Sequence, residues 1–365
     1  MIDLFELISS WSLKDHHKLK IIKSIFDKNE TIRCYALGIN EHSITLSKEI
    51  PIAGYIDDFT NDSILDGLPI FKMQDISSQT NSVIVNCILC TKPSTALNRA
   101  LEQGCSNIIN LTDLLKFNAN LTIPDFVKEM RNDFVNSNKK WRNVYEHLED
   151  EESKKVFNDL ISYRLTADIS YLNNYSFRPL EQYFEPFMDY NDEVFVDAGG
   201  FTGDTTEQFC KRYPNYKKVY LIEPSIKNMQ QAKDRLINYS NITYISKGVS
   251  NKVEQLNFSS NSGSASSVCE NGNVVIDVAP IDLLINETVS FIKMDLEGWE
   301  INALEGARKH IFLDHPKLAI VAYHKADDFW KIYDFIMGIR NDYKVFIRHY
   351  TEGWSETVMY FLPIR

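Results

Sequence analysis

Short apolar, β-branched runs alternate twice along the chain with stretches whose apolar positions recur every three to four residues. The first series places strands over 32–37, 52–56, 83–89 and 107–111, which predicts a small parallel sheet wrapped by helices. Gly38 closes the first of these strands. Lys92-Pro93-Ser94 precedes a helix expected over 95–103, and Gly104 stops that helix as a left-handed C-terminal residue would. From Pro124 to about Tyr190 the period turns helical, with Val156, Leu160 and Tyr163 on one face. The acidic run 149–152 ahead of Lys154-Lys155 suits a helix amino terminus and reads as a solvated face. After Glu193 a longer series begins, with strands expected over 194–197, 218–222, 242–246, 290–294, 318–323, 343–348 and 356–362. Helices over 204–212, 225–239, 299–312 and 325–339 fill its gaps. Seven strands with only a short turn between the last two predict a doubly wound sheet whose final pair is antiparallel. The fold class is therefore α/β, with Rossmann-like domains over 1–119 and 191–365 joined by a helical region over 120–190.

Composition narrows the partners. With 44% hydrophobic and 24% charged residues the protein has the make-up of a soluble globular chain. A formal charge of −11 argues against nucleic acid, because neutralising phosphates needs clustered Lys and Arg. The opening residues 1–10 interrupt their apolar positions with Asp3 and Glu6 and lack a basic flank, so no secretory signal is expected. No uncharged apolar stretch is long enough to span a bilayer, and a cytoplasmic location is the expectation. The six cysteines are scattered and read as reduced thiols. Cys87 and Cys90 form a C-x-x-C, but inside an apolar run that reads as a strand; a redox motif would sit at a helix start, and a zinc site needs a second pair.

Three segments carry candidate chemistry. Asp197-Ala-Gly199-Gly200-Phe201-Thr-Gly203-Asp204 follows an apolar strand and precedes a helix, as in a loop where backbone closely approaches a ligand. Its spacing is not the G-x-G-x-x-G of a dinucleotide site, and an acid at the strand end suits the cationic methionyl part of S-adenosylmethionine better than a pyrophosphate. The next strand ends in Glu223-Pro224-Ser225, where a carboxylate can hold both hydroxyls of a ribose; Glu223 serves NAD and S-adenosylmethionine equally. In the third segment, Lys293-Met-Asp295-Leu-Glu297-Gly298-Trp-Glu300, three carboxylates and a lysine gather where a strand gives way to a helix. Such a density of charge after an apolar strand is costly unless it faces a wet cleft. Asp295 and His324, at the ends of adjacent strands, should emerge side by side, and a carboxylate beside a histidine is a proton-acceptor arrangement.

The pattern Lys293-x-Asp295-x-Glu297-Gly298-x-Glu300, followed by Leu304-Glu-Gly306-Ala307, resembles the signature of the FkbM family of S-adenosylmethionine-dependent methyltransferases. The resemblance covers residues 180–365 and takes in Tyr183-Phe184, the Asp197 loop with Gly203-Asp204-Thr205, Ser264 to Ser266, Asp282 and Tyr323-His324. Gly200 departs from it, since the family commonly has alanine there. The resemblance implies a class I methyltransferase sheet and O-methylation, often of a sugar hydroxyl in a glycan or natural product. It implies a cofactor site made from Tyr183, Asp197, Gly199, Gly200, Phe201, Gly203, Asp204, Thr205, Glu223, Pro224, Ser225, Gly248, Ser264, Ser266 and Asp295. Asp295, Glu297 and His324 are the catalytic candidates, with a divalent metal held by those carboxylates as the alternative means of acidifying the hydroxyl. The amino-terminal half resembles more loosely the Rossmann-like domains of bacterial sugar-modifying enzymes, through Leu37-Gly38, Gly54-Tyr-Ile-Asp57-Asp58 and Gly67-Leu-Pro69-Ile.

Two other readings stand beside this one. An NAD-dependent sugar oxidoreductase would also use two Rossmann-like halves and Glu223. A non-catalytic protein that binds a nucleotide-sugar would use the first half, although Gly38-Ile-Asn-Glu-His42 has no further glycine, which suits a packing domain equally well.

Overall fold

A computed structural model describes residues 7, 12–26, 32–77, 79, 81–258, 272 and 274–364. They form two compact units: Met1–Asn136 with Phe157–Phe177 and Thr351–Ser355, and Ser137–Val156 with Arg178–Tyr350 and Glu356–Arg365.

The first unit holds strands β1 (Arg33–Leu37), β2 (Gly54–Ile56), β3 (Ile64–Leu65), β4 (Leu68–Phe71), β5 (Ser82–Asn86) and β6 (Ile108–Asn110), in the order β3-β4-β2-β1-β5-β6. β1 pairs in parallel with β2 and β5, placing the most apolar strands at the centre. The β3–β4 hairpin is an addition to the expected strands. Its turn is Asp66-Gly67, with φ of 50° and 80°, the pair of left-handed residues that a tight hairpin requires. Helix Pro93–Glu102 ends just before Gly104, whose φ is 90°. Cys87 is fully buried on leaving β5, and burial pushes its thiol up, so it is inert packing. Cys34, Cys87, Cys90, Cys105 and Cys210 are free thiols, and Cys269 lies outside the described residues.

In the helical stretch, Val156, Leu160 and Tyr163 of helix Glu151–Thr166 are buried as their spacing predicts. The acidic run at its start is more than a solvated face. Asp150 and Glu152 hold Nη2 of the buried Arg348 at 2.7 and 3.2 Å.

The second unit carries β7 (Val194–Ala198), β8 (Lys218–Ile222), β9 (Ile242–Ile245), β10 (Gly248–Val249), β11 (Glu254–Phe258), β12 (Val274–Ala279), β13 (Phe291–Met294), β14 (Lys317–Val321), β15 (Tyr343–His349) and β16 (Thr357–Pro363). Seven of them build the sheet β15-β16-β14-β13-β7-β8-β9. β16 runs antiparallel to both β14 and β15, and the others pair in parallel. All seven strands expected from the sequence are present. Unexpected is the small sheet β10-β12-β11; β10 is buried but only two residues long, and β11 and β12 stay partly exposed and so lack a strong apolar signal. The helix expected over 299–312 is divided into Glu300–Glu305 and Arg308–Leu313. Gly306 lies at the break, where a Cβ would sit 2.0 Å from the carbonyl oxygen of Ser250. The Asp282 carboxylate accepts from the N–H groups of Lys309 and His310 at 2.8 and 3.1 Å and so caps the second piece. Phe195 stacks on Phe291 at 4.6 Å between ring centroids, and Phe209 packs against Phe195 at 4.5 Å, which anchors helix Asp204–Arg212 to the central strands.

Candidate active site

Because β8, β7, β13 and β14 are parallel neighbours, the loops that follow them gather on one edge of the sheet. After β7 the chain passes through Gly199 to Gly203 into helix Asp204–Arg212. Gly199 has a φ of +78°, and a Cβ there would lie 2.0 Å from the carbonyl oxygen of Asp295, so the loops after β7 and β13 touch backbone to backbone. Gly200 lies over Leu221. Gly203, also at +78°, is the N-cap, followed by exposed Asp204 and half-buried Thr205.

Glu223, buried after β8, ties this loop to the next one. Its Oε2 accepts from the N–H of Phe201 at 3.1 Å, and its Oε1 from the N–H of Ser225 at 2.9 Å. Burial pushes its carboxyl above the usual range, against the pull of these donors. Pro224 lines the cleft, and Ser225 caps helix Ile226–Arg235 by accepting from the N–H of Asn228.

Strand register puts Asp197 directly opposite Lys293. Both are buried, with Nζ 3.1 Å from Oδ1, while Thr206 Oγ1 donates to Oδ2 at 2.7 Å. Lys293 also donates to the carbonyl of Gly199 at 2.8 Å. The sequence pattern directs Asp197 toward the ligand's cationic end; its carboxylate instead faces Lys293 beneath the glycine loop. Its charge is matched there by Lys293.

Asp295, Glu297 and Glu300 surround His324. Nε2 of His324 lies 3.4 Å from Asp295 Oδ1 and 3.6 Å from Glu300 Oε1, and Nδ1 lies 3.6 Å from Glu297 Oε2. Glu300 Oε1 also accepts from the N–H groups of Leu296 at 2.8 Å and Gly298 at 3.3 Å, which fixes the turn between them. Tyr183 donates its hydroxyl to Asp295 Oδ2 at 2.8 Å. Both Tyr183 (φ 73°) and Glu297 (φ 53°) are left-handed without being glycine, a conformation that costs energy and tends to persist where function requires it.

The electrostatics separate the roles of these groups. Burial pushes the Glu297 carboxyl up to about 7, the carboxylates of Asp295 and Glu300 adding to the effect while His324 opposes it. Glu300 is likewise raised to about 7 by burial. Burial also resists ionisation of Asp295, but the His324 hydrogen bond and Lys293 outweigh it and hold the carboxyl at about 2. In His324 burial favours the neutral ring; Asp295, Glu300 and Glu297 overcome that and raise it to about 9. The ring is therefore an imidazolium at neutral pH, and Asp295 is too weak a base to take a proton. Glu297 and Glu300 both lie near neutrality, and of the two Glu297 lines the cleft while Glu300 is buried. One atom each from Asp295, Glu297 and His324 can be chosen within 4.8 Å of one another, a span that would hold a metal ion. Carboxylates at both ring nitrogens suit a doubly protonated ring better, since a metal needs a bare nitrogen.

The cleft is lined on its polar side by Gly199, Glu223, Asp295 and Glu297. Val249, Phe258, Ile276 and Val278 supply an apolar side, next to Gly248 at the start of β10. Trp299 also lines it, and its buried indole N–H has no hydrogen-bond partner among the described residues. An acid for a ribose, an apolar slot for a flat base and an unpaired donor together fit an adenosine-type ligand. Ser264 and Ser266 lie outside the described residues. Trp299, Gln182 and Glu356 were not picked out by the sequence pattern; Trp299 stands inside the charged motif, whereas the other two reach the site only through the tertiary fold.

Residues 191–350 match the model of the methyltransferase FkbM domain. This region is an FkbM methyltransferase domain. The whole chain shares its fold with a crystal structure of a methyltransferase FkbM from Methylobacillus flagellatus, at 22% identity and a TM-score of 0.71, over 98% of this chain and 100% of that one. An rRNA methylase from Streptococcus thermophilus aligns with 48% of this chain and 89% of its own at 17% identity, with a TM-score of 0.33. No curated protein matches the sequence. That domain makes the protein an S-adenosylmethionine-dependent methyltransferase, which sets the dinucleotide reading aside. Among the described residues no helix is long and apolar enough to cross a membrane.

Proposed function

We propose that this FkbM methyltransferase methylates a hydroxyl oxygen of a sugar or glycan in the cytoplasm, with Glu297 as the base. The supporting observation is the Glu297 carboxyl, which lines the cleft and is raised to about 7 beside Asp295 and an imidazolium. S-adenosylmethionine supplies a methyl carbon activated by a positive sulfur. Glu223 is placed for the ribose hydroxyls, and the Gly199 loop, supported from below by Asp197 and Lys293, for the amino acid portion.

A sugar hydroxyl is a poor nucleophile, so its proton must leave as the carbon–oxygen bond forms. Glu297 accepts that proton and is neutral afterwards. Asp295 and Glu300 hold His324 protonated, and its positive charge helps keep Glu297 ionised beforehand. Alignment of the reacting atoms supplies the rest. The carboxylates, rich in acceptor oxygens, suit a polyhydroxyl acceptor, and the net charge of −11 disfavours a nucleic acid.

Mass spectrometry of glycans from cells with and without the protein tests the acceptor class. Loss of one methyl ether from a sugar is expected on deletion, and an unchanged methylation pattern would refute it. Because the imidazolium already occupies the space among the carboxylates, activity should survive exhaustive chelation. Loss of turnover that is restored by a divalent ion would replace Glu297 with a metal as the means of activating the hydroxyl.

A further inference from the structure

Glu356 stands just before β16, exposed only in part, with a φ of 61°. It is a third non-glycine residue in the left-handed region, after Tyr183 and Glu297, connected to this one site. Its Oε2 accepts from Gln182 Nε2 at 2.8 Å, and its Oε1 from the Tyr323 hydroxyl at 3.3 Å. Gln182 Nε2 also donates to the Tyr183 hydroxyl at 3.0 Å, which in turn donates to Asp295 Oδ2 at 2.8 Å. Asp295 then meets His324 through its other oxygen at 3.4 Å. Each bond settles the donor direction of the next. Glu356 can only accept when ionised, so Gln182 must present its amide nitrogen, and the Tyr183 hydroxyl, receiving that nitrogen, must give its proton to Asp295.

We propose that Glu356 is a positioning residue of the methyl-transfer site: through Gln182 and Tyr183 it fixes the Asp295 carboxylate, and so holds His324 against Glu297. The inference rests on the reading of Glu297 as the base. The chain explains why a carboxylate is kept in a costly backbone conformation at this point. It also explains why Gln182 and Tyr183 are both buried although both are polar at their tips. Without an acceptor of full charge at 356 the amide of Gln182 is free to turn over, and its oxygen would then compete for the Tyr183 proton. Asp295 would lose a donor and His324 its fixed partner.

Glu297 feels the charges of His324, Asp295, Glu300 and Glu356, that of His324 most strongly among them, and Lys325 is bound to the carbonyl of neighbouring Gly298. Glu356→Gln in the full-length protein is therefore expected to lower kcat by about tenfold or more, with the dissociation constant for S-adenosylmethionine changed by less than about threefold. The acid limb of its pH–rate profile should move to higher pH, because the released imidazolium favours ionised Glu297 more strongly than the Glu356 carboxylate opposes it. Glu356→Asp, which keeps the charge, should leave that limb where it is. A residue important only for folding would lower the amount of active protein without moving the limb. An unmoved limb and unchanged kcat in Glu356→Gln, with Glu297→Gln inactive, would overturn this inference alone. Full activity in both variants would overturn the reading on which it rests.

Discussion

Glu297→Gln is expected to lower turnover by about a hundred-fold to ten-thousand-fold, the range that a positioned base contributes. The dissociation constant for S-adenosylmethionine should stay nearly constant, because the Gly199 loop and Glu223 are built without it. The pH dependence gives the same assignment a second test. Glu297 works ionised, so activity in the native enzyme should rise as pH climbs through about 7. His324 helps only while protonated, so activity should fall as pH passes about 9. A bell between those values is expected, and in Glu297→Gln its acid limb should vanish along with most of the rate. A single rise near pH 4, where an exposed carboxylate titrates, would remove Glu297 from the role.

Lys293→Met is expected to destabilise the protein by about 3–5 kcal/mol, measured by urea denaturation, because it leaves Asp197 charged and buried with no cation. The substitution also removes the donor to the Gly199 carbonyl, so the loop should loosen and cofactor binding weaken in the fraction that remains folded. The double variant Asp197→Asn with Lys293→Met removes both charges and should be less damaged than Lys293→Met alone, since no unpaired ion is left in the interior. If the single variant lost less than about 1 kcal/mol, the pair would be behaving like a surface ion pair, and its role under the loop would fall.

Much of the carboxy-terminal half could be read from the sequence because its central strands are buried on both faces and therefore mostly apolar. β7, β8, β13 and β14 stand out as continuous apolar runs, and the chemistry follows immediately after each. The small sheet of β10, β11 and β12 did not stand out, since a two-residue strand and two partly exposed ones carry little apolar contrast. The direction of Asp197 was also hidden. A strand-end acid looks the same in sequence whether it faces a ligand or a lysine, and only the register between β7 and β13 sets it opposite Lys293. Glu356 lies some sixty residues beyond Asp295, and the antiparallel pairing of β16 with β14 returns it to the site. The break at Gly306 depends on the approach of Ser250, another tertiary fact. In the first unit, the Asp66-Gly67 turn was a local signal that could have announced the β3–β4 hairpin.

The most direct test is transfer of a labelled methyl group from S-adenosylmethionine to glycans isolated from cells that lack the protein, comparing the native enzyme with Glu297→Gln at matched cofactor occupancy. The expected result is label on a sugar oxygen with the native enzyme and almost none with the variant, although both bind the donor. Equal incorporation by the two proteins, or label recovered in nucleic acid instead of sugar, would contradict the account.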